Sequence, residues 1–194
     1  MESLPKEEWT LGIPGLKYID EFITKEEESA LLEEINSKPW ETSLKRRVQQ
    51  YGYKYDYTSK RAADYLGKLP DFTLIVTQRI MDQNLMDCEP EQLIINEYEP
   101  GQGIAPHTDR VDVFDDQIIS VSLGSDIVMD FINSKTLETK SILLKRRSLL
   151  LMSEDARYEW KHTIPARKSD KIGPIKVDRG KRVSLTFRRI KRDK

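Results

Sequence analysis

The stretch NEYEPGQGIAPHTDR, residues 96–110, contains one of only two histidines in a chain of 194 residues. His107 and Asp109 stand two positions apart in it, so on an extended segment both side chains lie on one side and can reach one ion. This spacing alone is a weak signal, because a histidine in an acid-rich chain acquires such a neighbour by chance. A metal site therefore requires a third ligand from elsewhere in the chain.

The second histidine, His162, lies in the strand-like run RYEWKHTI. Alternation along a strand puts Tyr158, Trp160, His162 and Ile164 on one face, and Arg157, Glu159 and Lys161 on the other. We therefore expect the imidazole to point into the interior, where it needs a hydrogen-bond partner or a metal.

His107, Asp109 and His162 together have the composition of the facial triad that binds non-haem Fe(II) and leaves positions open for a cosubstrate and O2. Zn²⁺ with a bound water could use the same three ligands. The alternative without a metal is one buried histidine with satisfied hydrogen bonds and one histidine on the surface.

A second set of polar residues lies on two other strand-like runs. In RVSLTFRRI an apolar face alternates with a polar face of Arg182, Ser184, Thr186 and Arg188. Asn96 and Tyr98 likewise share one face of INEYE. A guanidinium group binds both oxygens of a carboxylate, and the two arginines, about 20 Å apart along a strand, could lean toward opposite ends of one small diacid. The alternative is a solvated polar face on an edge strand.

The composition describes a single domain with a strongly polar surface. The net charge is −1, 34% of the residues are charged, and no apolar run approaches the length of a membrane span. The start, MESLPKEEWT, is acidic and unlike a signal peptide, and the single cysteine, Cys88, permits no internal disulfide. We therefore expect one domain over residues 1–194, monomeric and without a membrane partner, inside the cell in the cytoplasm or nucleus.

Helical signals lie near the N-terminus, and strand signals follow them. Thr24 and Glu27 form a capping box before a helical pattern, and Pro70 precedes a second one, DFTLIVTQRIMDQNL. From Gln92 onward, short β-like runs alternate with turns. This order predicts an α+β fold, a double-stranded β-helix (jelly roll) backed by N-terminal helices.

Residues 43–61 combine basic residues, among them Arg46 and Arg47, with four alternating tyrosines at positions 51, 53, 55 and 57. Alternating residues of a strand share a face, aromatic faces stack bases, and basic side chains hold phosphates. The segment therefore suits single-stranded or looped nucleic acid, with Arg46, Arg47, Tyr51 and Tyr53 as candidate substrate contacts. The alternative is that the tyrosines pack against the helices.

Four ordered motifs, NEYEPGQGIAPHTD, SLGSDIVMDF, LKRRSLLLMSEDARYEWKH and RVSLTFR, resemble the AlkB family of Fe(II)- and 2-oxoglutarate-dependent dioxygenases. The resemblance covers nearly the whole chain. SLGSDIVMDF and RRVQQYGYKYDY are most similar to the oxygenase domain of the animal AlkB homologue that is fused to a tRNA methyltransferase. It implies the cofactors Fe(II), 2-oxoglutarate and O2, with iron bound by His107, Asp109 and His162, and a nucleotide lid over residues 43–61.

The resemblance also implies roles for the second set of polar residues. Arg182 and Tyr98 would hold the distal carboxylate of 2-oxoglutarate. Asn96 and Arg188 would lie near its keto-acid end, with Arg188 also supporting Asp109. Ser184 would be a further cosubstrate contact, at a position where the founding bacterial enzyme has asparagine.

The implied reaction consumes 2-oxoglutarate and O2 and hydroxylates a C–H bond, which yields a stable alcohol or, on an N-methyl group, a demethylated base. Base chemistry requires an unstacked base, and a tRNA anticodon loop presents one. We therefore expect an RNA substrate, with a modified wobble uridine or an N-methylated base of tRNA as the target and a methyltransferase or RNA-binding protein as partner. The alternatives are a protein side-chain oxygenase and a catalytically silent nucleic-acid-binding jelly roll.

Overall fold

The structure is a computed structural model that describes residues 10–42 and 44–192. The acidic start, the last two residues and Ser43, where the proposed lid begins, lie outside the described residues. No helix in the described ranges is long and apolar enough to cross a bilayer.

Three α-helices, two short 3-10 helices at Thr10–Gly12 and Asp71–Thr73, and thirteen strands are found in these ranges. The α-helices are α1 Lys25–Ser37, α2 Leu74–Asp82 and α3 Glu154–Tyr158. The strands are β1 Leu16–Ile19, β2 Arg47–Asp56, β3 Arg61–Tyr65, β4 Gln92–Tyr98, β5 Ile104–His107, β6 Phe114–Leu123, β7 Ile127–Asn133, β8 Thr139–Leu144, β9 Leu149–Met152, β10 Trp160–Ile164, β11 Ser169–Ile172, β12 Ile175–Asp178 and β13 Arg182–Ile190.

Two antiparallel sheets make up the jelly roll, which confirms the predicted fold class. The larger sheet has the order β1-β9-β6-β13-β4-β2-β3 and the smaller one β5-β10-β7-β8, while β11 and β12 form a separate hairpin. The helices are not a separate N-terminal block, because β1 precedes α1, and β2 and β3 lie between α1 and α2. β1 was missed because four residues are too few to show a period.

Helices α1 and α2 cover the outer face of the larger sheet. α1 begins with the predicted capping box, in which Thr24 Oγ1 accepts from the Glu27 N–H at 3.2 Å and Glu27 Oε2 accepts from the Thr24 N–H at 2.8 Å. Its apolar residues Leu31 and Ile35 are buried in one core that also contains Leu185 and Phe187 of β13. A second core fills the space between the sheets.

The run RYEWKHTI is only partly a strand. Trp160, His162 and Ile164 share the interior face of β10, as predicted. Residues 154–158 instead form α3, whose first turn contains two acidic residues that suit the positive end of a helix. The prediction is therefore wrong for Tyr158, which is 40% exposed, and for Arg157, which is buried.

A Gly52→Ala substitution is expected to destabilise the fold by about 3 kcal/mol, because left-handed backbone costs an L-residue about 1–2 kcal/mol and a backbone clash adds to it. Gly52 has φ +72°, and a Cβ there would lie 1.9 Å from the Glu91 carbonyl oxygen. Gly12→Ala is the matched control, since Gly12 has φ +64° with no atom within 4 Å of its Cβ position. Urea unfolding measures both, and equal losses would refute the clash.

Candidate metal centre and cosubstrate pocket

The register of the smaller sheet brings the two histidines together. β5 and β10 pair antiparallel with His107 directly opposite His162, and the ring centroids are 4.3 Å apart. Asp109 follows β5 closely along the chain. One ligand atom from each of the three residues lies within 4.8 Å of the other two, a spacing that permits a shared ion.

Both imidazoles can present a lone pair to a metal. His107 Nδ1 lies 2.8 Å from the carbonyl oxygen of Ala105. A carbonyl only accepts, so Nδ1 carries the proton and Nε2 is free to bind an ion. Burial, followed by the neighbouring His107, lowers the pKa of His162 to about 3. His162 is therefore neutral near pH 7, which is the form that binds metal.

Asp109 is a buried carboxylate with one oxygen engaged and one without a partner. Its Oδ1 accepts from Arg188 Nη2 at 2.9 Å, and in the described part of the chain its buried Oδ2 has no hydrogen-bond partner. Burial acts to raise the pKa of Asp109, but Arg188 and the two histidines hold that pKa well below its usual range. An ionised, unpartnered oxygen beside two imidazoles fits a bound cation, and two imidazoles with one carboxylate suit Fe(II).

Arg157, which the sequence reasoning assigned to the wrong face, holds the backbone that carries Asp109. It is only 2% exposed. Its Nη1 donates to the Asp109 carbonyl at 2.7 Å, and its Nη2 donates to the carbonyls of Arg110 and Phe114 at 3.2 and 3.3 Å. One arginine therefore fixes the turn between β5 and β6. An isolated arginine near an apolar run was the only sequence signal.

An Arg157→Met variant is expected to bind Co(II), used as a spectroscopic substitute for Fe(II), about 10–100-fold more weakly, as is usual when residues behind the metal ligands are changed. The cause is a loosened Asp109 backbone, and Co(II) absorption measures the affinity. Arg79→Met is the control, because Arg79 forms an ion pair with Glu27 on the helical side. Unchanged Co(II) affinity in Arg157→Met would show that the turn holds its shape without this arginine.

The polar face of β13 lines a cavity of about 330 Å³ between the two sheets. Its lining includes the triad and, from β13 and β4, Arg182, Ser184, Thr186, Arg188, Asn96 and Tyr98. β13 lies between β6 and β4 in the larger sheet, so the alternative of a solvated edge strand is wrong. Ser184 Oγ shares a hydrogen bond of 2.9 Å with Ser120 Oγ.

Arg182 is a buried cation without a carboxylate partner among the described residues. It is 1% exposed, its Nη2 donates to Ser122 Oγ at 2.9 Å, and its guanidinium lies 5.6 Å from the centre of the Tyr98 ring. Its buried Nε has no partner in the same residues. Burial lowers the pKa of Arg182 to about 10, so the group stays charged near pH 7. Such a cation at the wall of a cavity fits an anionic ligand.

The four tyrosines of residues 43–61 do not share one face, so that prediction is wrong. Tyr51 packs edge-on against Phe72 at 6.0 Å, which is the packing alternative. Tyr53 packs against Tyr65, with ring centroids 5.1 Å apart and a 47° tilt, in a separate groove beside α2. Neither lines the cavity of the triad.

Tyr55 and Tyr57, by contrast, do line that cavity. The change of face follows from two irregularities in β2: left-handed backbone at Gly52 and a register shift between Lys54 and Asp56. Strict alternation, on which the prediction depended, does not survive such irregularities.

The two neighbouring arginines also separate. Arg46 lines the cavity, and its Nε donates to Asn96 Oδ1 at 2.7 Å. Arg47 instead forms a two-point ion pair with the buried Glu97 and stacks on Trp40 at 4.7 Å. The structure thus brings Arg46 to the site and uses Arg47 to fix the start of β2.

Known proteins resemble this chain in sequence and in fold. Residues 25–188 match the 2OG-Fe(II) oxygenase superfamily. Uncharacterized protein L905 of Acanthamoeba polyphaga mimivirus is 38% identical over 94% of this chain and 88% of the viral protein. The tRNA (carboxymethyluridine(34)-5-O)-methyltransferase ALKBH8 of Mus musculus is 38% identical over 99% of this chain, which spans only 32% of the mouse protein.

The superposition with the solved structure of OsALKBH1 has a TM-score of 0.69 and covers 91% of this chain and 97% of the OsALKBH1 chain. Its sequence identity is 16%, so this likeness concerns the fold alone.

Proposed function

We propose that this chain, which belongs to the 2OG-Fe(II) oxygenase superfamily, hydroxylates or oxidatively demethylates a base in tRNA. Within the superfamily it is an AlkB-type dioxygenase that depends on Fe(II), 2-oxoglutarate and O2. The observation that carries the proposal is that one cavity is lined both by a candidate metal site and by a buried cation. Among the described residues, Asp109 Oδ2 has no hydrogen-bond partner and lies beside two imidazoles, and Arg182 has no carboxylate partner and supplies a cation.

The residues of this chain bind and orient the reactants in this proposal. His107 Nε2, Asp109 Oδ2 and a ring nitrogen of His162 would hold Fe(II), which with O2 and 2-oxoglutarate supplies the hydroxylating chemistry. Arg188 keeps Asp109 ionised and oriented through its 2.9 Å contact.

The diacid would lie along the polar face of β13. Arg182 and Tyr98 would take its distal carboxylate, with Asn96 and Ser184 beside the chain of the ligand. This placement is supported by the burial of all four residues on the wall of one cavity.

The substrate nucleotide would enter beside Tyr55, Tyr57 and Arg46. The rings of Tyr55 and Tyr57 are 5.1 Å apart at 88°, and Tyr55 packs on Phe114 at 5.7 Å. Aromatic rings beside a guanidinium suit a splayed base and its phosphate. Tyr53 would contact nucleic acid only outside this cavity, while Tyr51 and Arg47 support the lid.

A wobble uridine is the target that we favour within tRNA. The support is that the mouse relative is named for carboxymethyluridine at position 34 of tRNA, and that this chain matches about a third of it. A methyltransferase or RNA-binding protein would then be a partner. A tRNA substrate places the reaction inside the cell, in the cytoplasm or nucleus.

The test supplies the protein with Fe(II), ascorbate, 2-oxoglutarate and air, and measures succinate and the nucleosides of digested tRNA by mass spectrometry. We expect succinate release that depends on tRNA, with one nucleoside gaining an oxygen atom or losing a methyl group with formaldehyde. Turnover with peptides and none with RNA would establish the protein oxygenase instead. RNA binding without 2-oxoglutarate decay would establish the silent binding module.

A further inference from the structure

We propose that Lys45, Arg46, Arg167 and Lys168, here called the basic rim, bind the phosphates of single-stranded RNA on the flank of the target nucleotide. The inference rests on the proposed function, because it assumes a nucleic-acid substrate at the adjoining cavity. It adds a surface that extends beyond that cavity and involves residues far apart in sequence.

The loop between β4 and β5 joins the two halves of the basic rim. The Gln102 side-chain amide donates to the Lys45 carbonyl at 2.7 Å, and the Gly101 N–H donates to the Arg167 carbonyl at 3.2 Å. The Lys168 side chain lies over the same loop, 3.7 Å from the position of a Cβ on Gly101. The four residues therefore form one continuous surface.

The basic rim has an excess of positive charge. The surface on and around the rim contains seven basic and three acidic side chains, although the whole chain has a net charge of −1. This surface consists of residues 45–47, 97–99, 167–170 and 179–181. The basic side chains are Lys45, Arg46, Arg47, Arg167, Lys168, Arg179 and Lys181, and the acidic ones are Glu97, Glu99 and Asp170. A local excess of this kind attracts a polyanion whatever the total charge of the chain.

The acidic groups of this surface are already paired with cations. One of these cations, Arg167, belongs to the basic rim: it shares the buried Asp170 with Arg179, and its side chain stays 42% exposed. Glu97 is paired with Arg47 and Lys181, and Glu99 with Lys181. Lys45 and Lys168 are exposed and form no ion pair within residues 10–42 and 44–192. Their ammonium groups remain available for an anionic partner.

The backbone beneath the basic rim is held by buried polar contacts. Asp170 and Arg179 form a buried ion pair at 2.7 Å, Asp170 Oδ2 accepts from the Val128 N–H at 3.0 Å, and Arg179 Nη1 donates to the Pro165 carbonyl at 2.7 Å. These contacts fix the segment that presents Arg167 and Lys168. Less conformational entropy is then lost on binding.

Arg46 connects the basic rim to the reaction site, because it lines the cavity and contacts Asn96. RNA held by its phosphates on the rim would present the attached nucleotide to Tyr55 and Tyr57. Phosphate contacts position a strand without reading its sequence, so the rim would contribute affinity and orientation, and the cavity would select the base.

The experiment compares Lys45→Gln/Lys168→Gln with Lys17→Gln/Lys25→Gln, a charge-matched control near the opposite edge of the larger sheet. Fluorescence anisotropy of a labelled single-stranded RNA oligonucleotide gives the Kd at several KCl concentrations. Each lost phosphate contact reduces the salt slope for single strands by about 0.7. We therefore expect the rim variant to lose about 1.4 from the slope and about tenfold in affinity at low salt, with the control like wild type.

A rim variant with the wild-type slope would overturn the basic rim while leaving the proposed function intact. Equal losses in both variants would show nonspecific attraction and would also overturn it. Wild-type protein that binds no RNA would reject the proposed function together with the rim. Binding of poly-glutamate and not of RNA would assign the surface to an acidic protein partner. The anaerobic absorption band with Fe(II) and 2-oxoglutarate, expected in all variants, verifies the cavity independently.

Discussion

Replacing Arg182 with methionine is expected to stabilise the ligand-free protein by about 1–3 kcal/mol and to weaken 2-oxoglutarate binding by about 100-fold or more. Arg182 is 1% exposed and donates to one hydroxyl, with its Nε unpartnered in the described residues. An uncompensated buried charge is costly, and an apolar side chain of similar volume removes that cost. The same substitution deprives a dianionic ligand of its charged partner, and such losses exceed about 2 kcal/mol.

Arg179→Met is the matched control for this prediction. Arg179 is also buried, but it forms an ion pair with Asp170 at 2.7 Å. Its removal leaves that buried carboxylate with only the half-exposed Arg167, also 2.7 Å away, and should cost about 3 kcal/mol, the lower end of the range for a broken buried pair. Urea unfolding gives the stabilities, and isothermal titration calorimetry with Mn(II) present gives the 2-oxoglutarate affinity. Stability losses of the same size in both variants would make Arg182 a structural cation and would end its assignment to the cosubstrate.

The polar face of β13 shows what sequence alone can and cannot predict. Alternation in RVSLTFRRI was enough to place Arg182 and Arg188 on one polar face, because β13 is a long, regular strand inside a sheet. Whether that face met solvent or a cavity depended on β6 and β4 at its sides, whose pairing is nonlocal. The resemblance to a family supplied that information, and the periodicity did not.

Residues 43–61 show where alternation fails. The tyrosine spacing in residues 51–57 suggested one face, yet β2 has left-handed backbone at Gly52 and a register shift after Lys54. Tyr53 therefore lines one pocket, Tyr55 and Tyr57 line another, and Tyr51 packs against Phe72. A glycine within a strand is a recognised sign of a bulge or a close backbone approach, so the local signal was present. What it could not provide was the partner, the Glu91 carbonyl of a distant segment.

The metal-binding triad depends on both local spacing and nonlocal strand pairing. The two-residue spacing of His107 and Asp109 is local and was visible in the sequence, whereas the pairing of His107 with His162 depends on the β5–β10 register. Arg157 lay outside any local pattern, since α3 is one short turn of helix between two strands. The predicted ligands thus come from patterns of residue type. Of the two arginines that hold Asp109, Arg188 was implied by the family resemblance, and Arg157 was found only in the tertiary structure.

An Asp109→Ala variant is expected to lose the visible absorption band that Fe(II) and 2-oxoglutarate give under anaerobic conditions, and to reduce succinate formation by about a thousandfold or more. Residues behind metal ligands typically change affinity by about 10–100-fold, and a ligand itself should exceed that range. His107→Ala should have the same effect. In the wild-type protein, Nδ1 of His107 is bonded to the Ala105 carbonyl, which leaves Nε2 free to bind the metal. Anaerobic absorption spectra and single-turnover succinate measure the two effects.

Asp112→Ala is the matched control. Asp112 lies three positions after Asp109 and is also a carboxylate bound to an arginine, Arg110. It is exposed and lies outside the cavity lining, so its removal should leave both the band and succinate formation within about twofold, as for a surface ion pair worth under about 1 kcal/mol. Circular dichroism verifies folding of every variant. A folded Asp109→Ala protein that retained the full band would remove Asp109 from the metal site, and the unpartnered Oδ2 would then need another cation to explain it.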